Sequence, residues 1–190
     1  MEGRLLSLVV GILGSPRRKG NSNALLDRCL EGAKEKGAET LKLVLQDLDV
    51  TPCQGCNRCL DTGECAVSDD MSQVHAAILR ADAVVVASPI YFSGLTGQTK
   101  CMIDRCQCLW ARENLVGRRV GRPRKGAIIL VAGDANPVFR NAQSELKAFF
   151  KGIGIGFHSE LLVAGADKAG EVREREAEMR RAWEMGQGLA

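Results

Sequence analysis

The chain has 190 residues, 45% of them apolar and 26% charged, the balance of a globular protein with room for one full core. A net charge of +3 is too small to mark a polyanion partner, and aromatics at 4% are too few for a base-stacking platform, so no nucleic-acid partner is expected. The longest apolar run, Leu5 to Leu13, is too short to cross a membrane, and no small-x-small cleavage site follows it. It reads as a buried first strand, in a cytoplasmic protein with no membrane partner.

Strand and helix patterns alternate along the chain. Leu5–Leu13 has the near-continuous Leu and Val of a parallel strand covered on both faces. Asn21–Lys36 is a helix, with Leu25, Leu26, Cys29, Leu30 and Ala33 at helical spacing. Thr40–Leu45 is a second strand, and Met71–Arg80 is a helix after the Asp69-Asp70 start signal. Ala83–Ala87 is a third strand, Thr96–Leu109 a helix and Ala127–Ala132 a fourth strand. Asn141–Lys151 is a helix, Phe157–Val163 a fifth strand, and Glu171–Met185 a charged amphipathic helix. The alternating signs of that last helix read as a salt-bridged exposed face or a subunit contact. The whole chain, 1–190, reads as one domain, and the irregular stretch 46–70 is expected to be functional.

Such alternation implies an α/β fold with a parallel sheet and helices on both faces. Right-handed crossovers collect the loops after the strands along one edge, where ligands bind in these folds. Three loops matter most: 14–22, 88–95 and 132–138. The first runs Gly14-Ser15-Pro16-Arg17-Arg18-Lys19-Gly20-Asn21-Ser22-Asn23 into a helix N-terminus, whose free N–H groups and positive end favour phosphate. Ser15 and Ser22 add hydroxyls and Arg17 a charge. The loop matches neither a nucleoside-triphosphate loop nor a dinucleotide fingerprint. A plain strand-to-helix turn capped by Asn21 or Ser22 is the competing reading.

The Gly14-Ser15-Pro16-Arg17…Gly20-Asn21-Ser22 segment resembles the first FMN loop of the NADPH-dependent FMN reductase and iron-sulfur flavoprotein group. Ser88-Pro89-Ile90-Tyr91-Phe92-Ser93-Gly94, with Gln98…Lys100…Ile103-Asp104-Arg105 after it, resembles the second loop and following helix of that group. The resemblance implies a flavodoxin-like fold with five parallel strands in the order 2-1-3-4-5. It also implies FMN as prosthetic group and a homodimer or homotetramer whose interface lies near the flavin. Carried over by position, Ser15, Arg17, Asn21, Ser22 and Asn23 would hold the phosphate. Pro89, Ile90, Tyr91, Phe92, Ser93 and Gly94 would line the isoalloxazine. In the third loop Gly133 permits close backbone approach, and Gly133 and Asp134 are weaker candidates.

Cys53-x2-Cys56-x2-Cys59-x5-Cys65 puts four thiols in one short loop, and its first spacings equal those of a bacterial ferredoxin run. Gly55 and Gly63 let the backbone turn. Structural zinc, free or redox-active thiols, and simple packing are the other readings. The segment also resembles the compact cysteine motif of iron-sulfur flavoproteins, which implies a [4Fe-4S] cluster on Cys53, Cys56, Cys59 and Cys65. Cys29, Cys101, Cys106 and Cys108 read as small buried side chains, with Cys106 and Cys108 on different helical faces. His75 and His158 read as surface or capping residues.

Together these features describe an FMN oxidoreductase linking a one-electron carrier such as ferredoxin, or NAD(P)H, to a small acceptor. No side chain need act as acid or base, so no catalytic residue is assigned. A cluster-free NAD(P)H-dependent FMN or quinone reductase is the alternative. Arg118, Arg119, Arg122, Arg124 and Lys125 would then attract the NADPH phosphates, a solvated basic loop being the competing reading. A redox carrier or sensor without enzymatic activity is a further alternative.

Overall fold

The computed structural model describes residues 6–190, and in it five parallel strands form one sheet in the order β2-β1-β3-β4-β5. The strands are β1 Leu8–Leu13, β2 Glu39–Val44, β3 Ala83–Pro89, β4 Lys125–Val131 and β5 Gly156–Val163. Leu5, which opens the expected first strand, lies outside the described residues. The helices are α1 Asn21–Glu35, α2 Cys59–Thr62, α3 Met71–Arg80, α4 Gly97–Arg105, α5 Gln107–Asn114, α6 Arg140–Gly152 and α7 Glu176–Leu189.

Side chains alternate along each strand, so one sheet serves two cores. Val10, Ile12, Val84, Val86, Ile128 and Leu130 meet Val74, Ile78, Met102, Leu146 and Phe150 on one face. Val9, Leu13, Val85 and Ile129 meet Leu25, Leu26 and Cys29 of α1 and Ala182 and Leu189 of α7 on the other. Each fully buried aliphatic side chain contributes roughly 1.5–3 kcal/mol. The central strands β1, β3 and β4 are therefore the rigid frame, and the edge strands β2 and β5 are partly exposed.

Two expected helices are divided. The pattern over Thr96–Leu109 becomes α4 and α5, which meet at Cys106. The break buries both Cys106 and Cys108, each 2% exposed, which a continuous helix would have set on different faces. His75 Nε2 lies 3.0 Å from the Arg105 carbonyl and caps the end of α4, as expected for a capping histidine. The pattern over Glu171–Met185 begins as a single tight turn, Glu171–Glu174, and α7 follows only after Arg175. The Arg175 guanidinium donates to the Ala164 carbonyl at 2.9 Å and to Glu171 at 2.6 Å, and this clasp sets the break. α7 lies along α1, with the Trp183 indole donating to Glu35 at 3.0 Å.

Candidate functional site

Four loops meet at the carboxyl edge of the sheet around a cavity of about 210 Å³. Ser15, Arg17, Gly20, Asn21 and Ser22 come from the loop after β1, and Pro89, Ile90 and Tyr91 from the loop after β3. Gly133 follows β4, and Ala166, Asp167 and Ala169 follow β5. The first intrahelical bond of α1 runs from Ala24 N to the Gly20 carbonyl. The N–H groups of Asn21, Ser22 and Asn23 therefore precede the helix's own hydrogen bonding and are open to an acceptor. Ser22 Oγ has no protein partner, and Arg17 has no ion-pair partner, among the described residues. Ser15 Oγ instead accepts from Arg17 N at 3.1 Å and shapes the turn. Open amides, a free hydroxyl and an unpaired guanidinium around one cavity fit a phosphate dianion.

Buried hydroxyls lock this loop to its neighbour. Thr96 Oγ1 donates to the Gly14 carbonyl at 2.7 Å and lies 2.8 Å from Thr99 Oγ1, which reaches Ser88 Oγ at 3.4 Å. A side chain at Gly14 would overlap Thr99 Oγ1.

The structure redistributes some of the expected residues. The Asn21 side chain is a clamp: its Nδ2 donates to the Ala166 and Lys168 carbonyls at 3.0 Å each, and its Oδ1 accepts from Val172 N at 3.2 Å. The Asn23 side chain turns to Asp27 and Lys42, at 2.8 and 2.6 Å. Asp134 is exposed, caps Asn136 N at 2.9 Å, and does not line the cavity. Phe92, Ser93 and Gly94 also lie off the cavity wall. Tyr91 and Gly94 exchange backbone hydrogen bonds at 3.0 Å, and Phe92 and Ser93 between them have φ of 50° and 60°. That is a tight turn of the kind that favours Asn-Gly, with a fully exposed phenyl ring at its tip. The loop after β5 carries no motif, so Ala166, Asp167 and Ala169 gave no sequence signal.

The cysteine loop lies at the C-terminal end of α4. Cys53, Cys56, Cys59 and Cys65 all line one cavity of about 40 Å³, together with Arg105 and Cys108. Gly55, Asn57 and Gly63 take left-handed φ of 63°, 60° and 73°, so the loop does turn at its two glycines. All four thiols are free, and among the described residues no three metal-ligating side chains stand at metal-binding distances. Burial raises the Cys59 thiol above its usual value, and the neighbouring Cys65, Cys56 and Cys53 raise it further. Cys108, read from the sequence as a structural residue, lines the same cavity; burial, with Cys65 and Cys59 nearby, pushes its thiol up to about 12.

The ends of the loop are pinned. Asp69 Oδ2 accepts from Thr51 N at 2.9 Å, and Arg105 donates to both Asp69 oxygens, at 2.6 and 2.9 Å, and to the Thr51 carbonyl. The Arg105 guanidinium holds the Asp69 carboxyl down to about 2 against the opposing effect of burial. Arg105 is among the residues that line the cavity, and its Nε is buried without a hydrogen-bond partner. By donor chemistry, four thiols beside a buried cation match an anionic thiolate cluster.

A parallel sheet of this order, with an anion cradle at its strand ends, defines a flavodoxin-like protein that takes a phosphate-bearing ligand. Within that class the chain belongs to the NADPH-dependent FMN reductase family, whose model matches residues 7–166. An iron-sulfur flavoprotein of Archaeoglobus fulgidus is 38% identical over 128 residues, 67% of this chain and 56% of that protein. One of Methanocaldococcus jannaschii is 32% identical over 159 residues, 84% of this chain and 77% of that protein. One of Methanosarcina thermophila is 33% identical over 67% of this chain and 64% of that protein. The aligned part thus spans 56–77% of the length of these relatives. Among solved structures, a flavone reductase superimposes with a TM-score of 0.77 at 20% identity, over 96% of this chain and 61% of that one. The NAD(P)H:quinone oxidoreductase from Methanothermobacter marburgensis gives 0.68 at 19% identity, over 97% and 98%. Both share the fold.

Proposed function

We propose that the chain is an FMN-containing oxidoreductase, one flavodoxin-like domain, that passes electrons between a ferredoxin-like one-electron carrier and a small acceptor. Its second redox group is a [4Fe-4S] cluster on Cys53, Cys56, Cys59 and Cys65. The observation that carries this reading is that one chain holds both a phosphate cradle of open α1 amides and a separate cavity walled by four cysteines. Family membership and the iron-sulfur flavoprotein relatives support it.

In this reading the N–H groups of Asn21, Ser22 and Asn23, with Ser22 Oγ and Arg17, hold the FMN phosphate. Ser15 and the Asn21 side chain shape the cradle, Pro89, Ile90 and Tyr91 line the ring, and Gly133 lets the backbone approach. FMN, when bound, supplies the exchange between two-electron and one-electron chemistry. The exposed Phe92 turn beside the cavity is the surface on which a second copy would close near the flavin, in a homodimer or homotetramer. Among the described residues no helix is long and apolar enough to cross a membrane.

The cluster-free NAD(P)H reductase is less favoured, because each residue of the basic run already has a protein partner. Arg118 lies 3.5 Å from Glu64, Arg119 donates to the Glu113 carbonyl, and Arg122 pairs with Asp82 at 2.8 Å. Arg124 is buried against the Ile78 and Ile153 carbonyls, and Lys125 donates to the Gly188 carbonyl. Anaerobic mixing of the FMN-loaded protein with a reduced one-electron donor tests the assignment. The flavin should bleach faster than with NADPH, and Cys56→Ser should slow only the one-electron reaction. Fast reduction by NADPH that is indifferent to Cys56→Ser would establish the plain reductase instead.

A further inference from the structure

Arg105 ends α4 with its side chain 1% exposed, and its partner Asp69 is 7% exposed. A buried ion pair is a poor source of net stability, so its place needs another reason. The pair joins the two ends of the cysteine loop. Thr51 precedes Cys53, Asp69 follows Cys65, and Arg105 donates to both while Thr51 N donates to Asp69. A second tie runs alongside, from Asp49 N to Asp70 Oδ2 at 2.9 Å and from Asp70 N to the Asp49 carbonyl at 3.1 Å. The loop is thus closed by protein bonds alone, which removes part of the ordering cost of wrapping a ligand. Arg105 also lines the four-cysteine cavity, Cys65 adds to the environment that stabilises its charge, and its Nε has no partner.

We propose that Arg105 is a positioning residue for the thiolate cage: it clasps the loop through Thr51 and Asp69, and its unpartnered Nε–H favours the reduced state of the group the cage holds. The inference rests on the cluster reading above. A four-thiolate iron-sulfur cluster is anionic and gains negative charge on reduction, so a donor at its sulfurs raises its potential. Asp69 counteracts this, because it neutralises the guanidinium. Arg105 and Asp69 therefore act in opposite directions on the same equilibrium.

The test is an anaerobic redox titration, followed by the cluster's spin-resonance signal, of wild type, Arg105→Lys and Asp69→Asn. Iron and FMN per chain are measured on each sample. Arg105→Lys keeps the charge and loses the fork and Nε, and should disfavour reduction about tenfold, or about 59 mV for a one-electron couple. Asp69→Asn should shift the potential the opposite way. A general structural disturbance would move both variants in the same direction, and that result overturns the proposal. So do unchanged potentials with full iron in both variants. If Arg105→Lys loses iron while keeping FMN, the clasp is upheld and Asp69→Asn carries the sign test. A wild-type protein that takes up no iron would refute the underlying cluster reading instead.

Discussion

The Asn21 side chain separates a scaffold role from a ligand role at the FMN cradle, and Asn21→Ala tests which it has. The substitution removes two hydrogen bonds donated to the carbonyls of Ala166 and Lys168 and one accepted from Val172 N, all in a residue 7% exposed. At about 1 kcal/mol net per hydrogen bond, the loss is about 3 kcal/mol. For a chain of this size that lowers Tm by roughly 6–12 °C, at about 2–4 °C per kcal/mol. The α1 amides that face the cavity stay in place, so saturating FMN should restore much of the lost Tm through linkage. Thermal unfolding with and without FMN, alongside a fluorescence titration for Kd, reads both quantities. Ser22→Ala is the control, since Ser22 Oγ has no protein partner among the described residues. It should leave the FMN-free Tm alone and weaken FMN about fivefold, near 1 kcal/mol. If Asn21→Ala leaves Tm unchanged and raises Kd tenfold or more, the clamp is wrong and Asn21 is itself a ligand.

Three further outcomes follow from the same contacts. Replacing Phe92 and Ser93 together by Asn and Gly relieves two left-handed φ values and should stabilise the fold by about 1–2 kcal/mol. The same pair should lower FMN retention or self-association, and unchanged values for both would remove the functional role of the turn. Gly14→Ala, which drives Cβ into Thr99 Oγ1, should cost about 1–3 kcal/mol by overpacking, with part of the loss recovered in a double variant carrying Thr99→Ala. The pH dependence has two windows. The Asp69 carboxyl is depressed from 3.8 to about 2, so its contribution is full above 3.8 and is lost as pH falls through about 2. Burial lowers His75 below its usual 6.5, so the unfolded chain takes up the proton first and stability declines as pH falls below 6.5. Urea midpoints between pH 8 and 5 should fall in wild type and fall less in His75→Gln.

The strands and the three ligand loops were legible because they depend on local signals, whereas the strand order came from the family resemblance. Near-continuous Val and Leu runs mark central parallel strands, and Gly14 to Ser22 stands where a strand gives way to a helix N-terminus. The division of α4 from α5 was not legible, because the 3.6-residue pattern continues through Cys106. What breaks it is tertiary: Arg105 is drawn to Asp69 and Thr51, 36 and 54 residues away in sequence. Cys108 was set aside for the same reason, since nothing in its spacing ties it to Cys65. The loop after β5 is tied to the first loop by Asn21, whose partners lie 145 to 151 residues further along the chain.

The measurement that bears most directly on the account is the iron, sulfide, zinc and FMN content per chain of protein purified without oxygen. One FMN with about four iron and four sulfide, the iron lost in Cys59→Ser and the FMN kept, is the predicted result. FMN with no iron, or zinc in the cysteine loop, would contradict it.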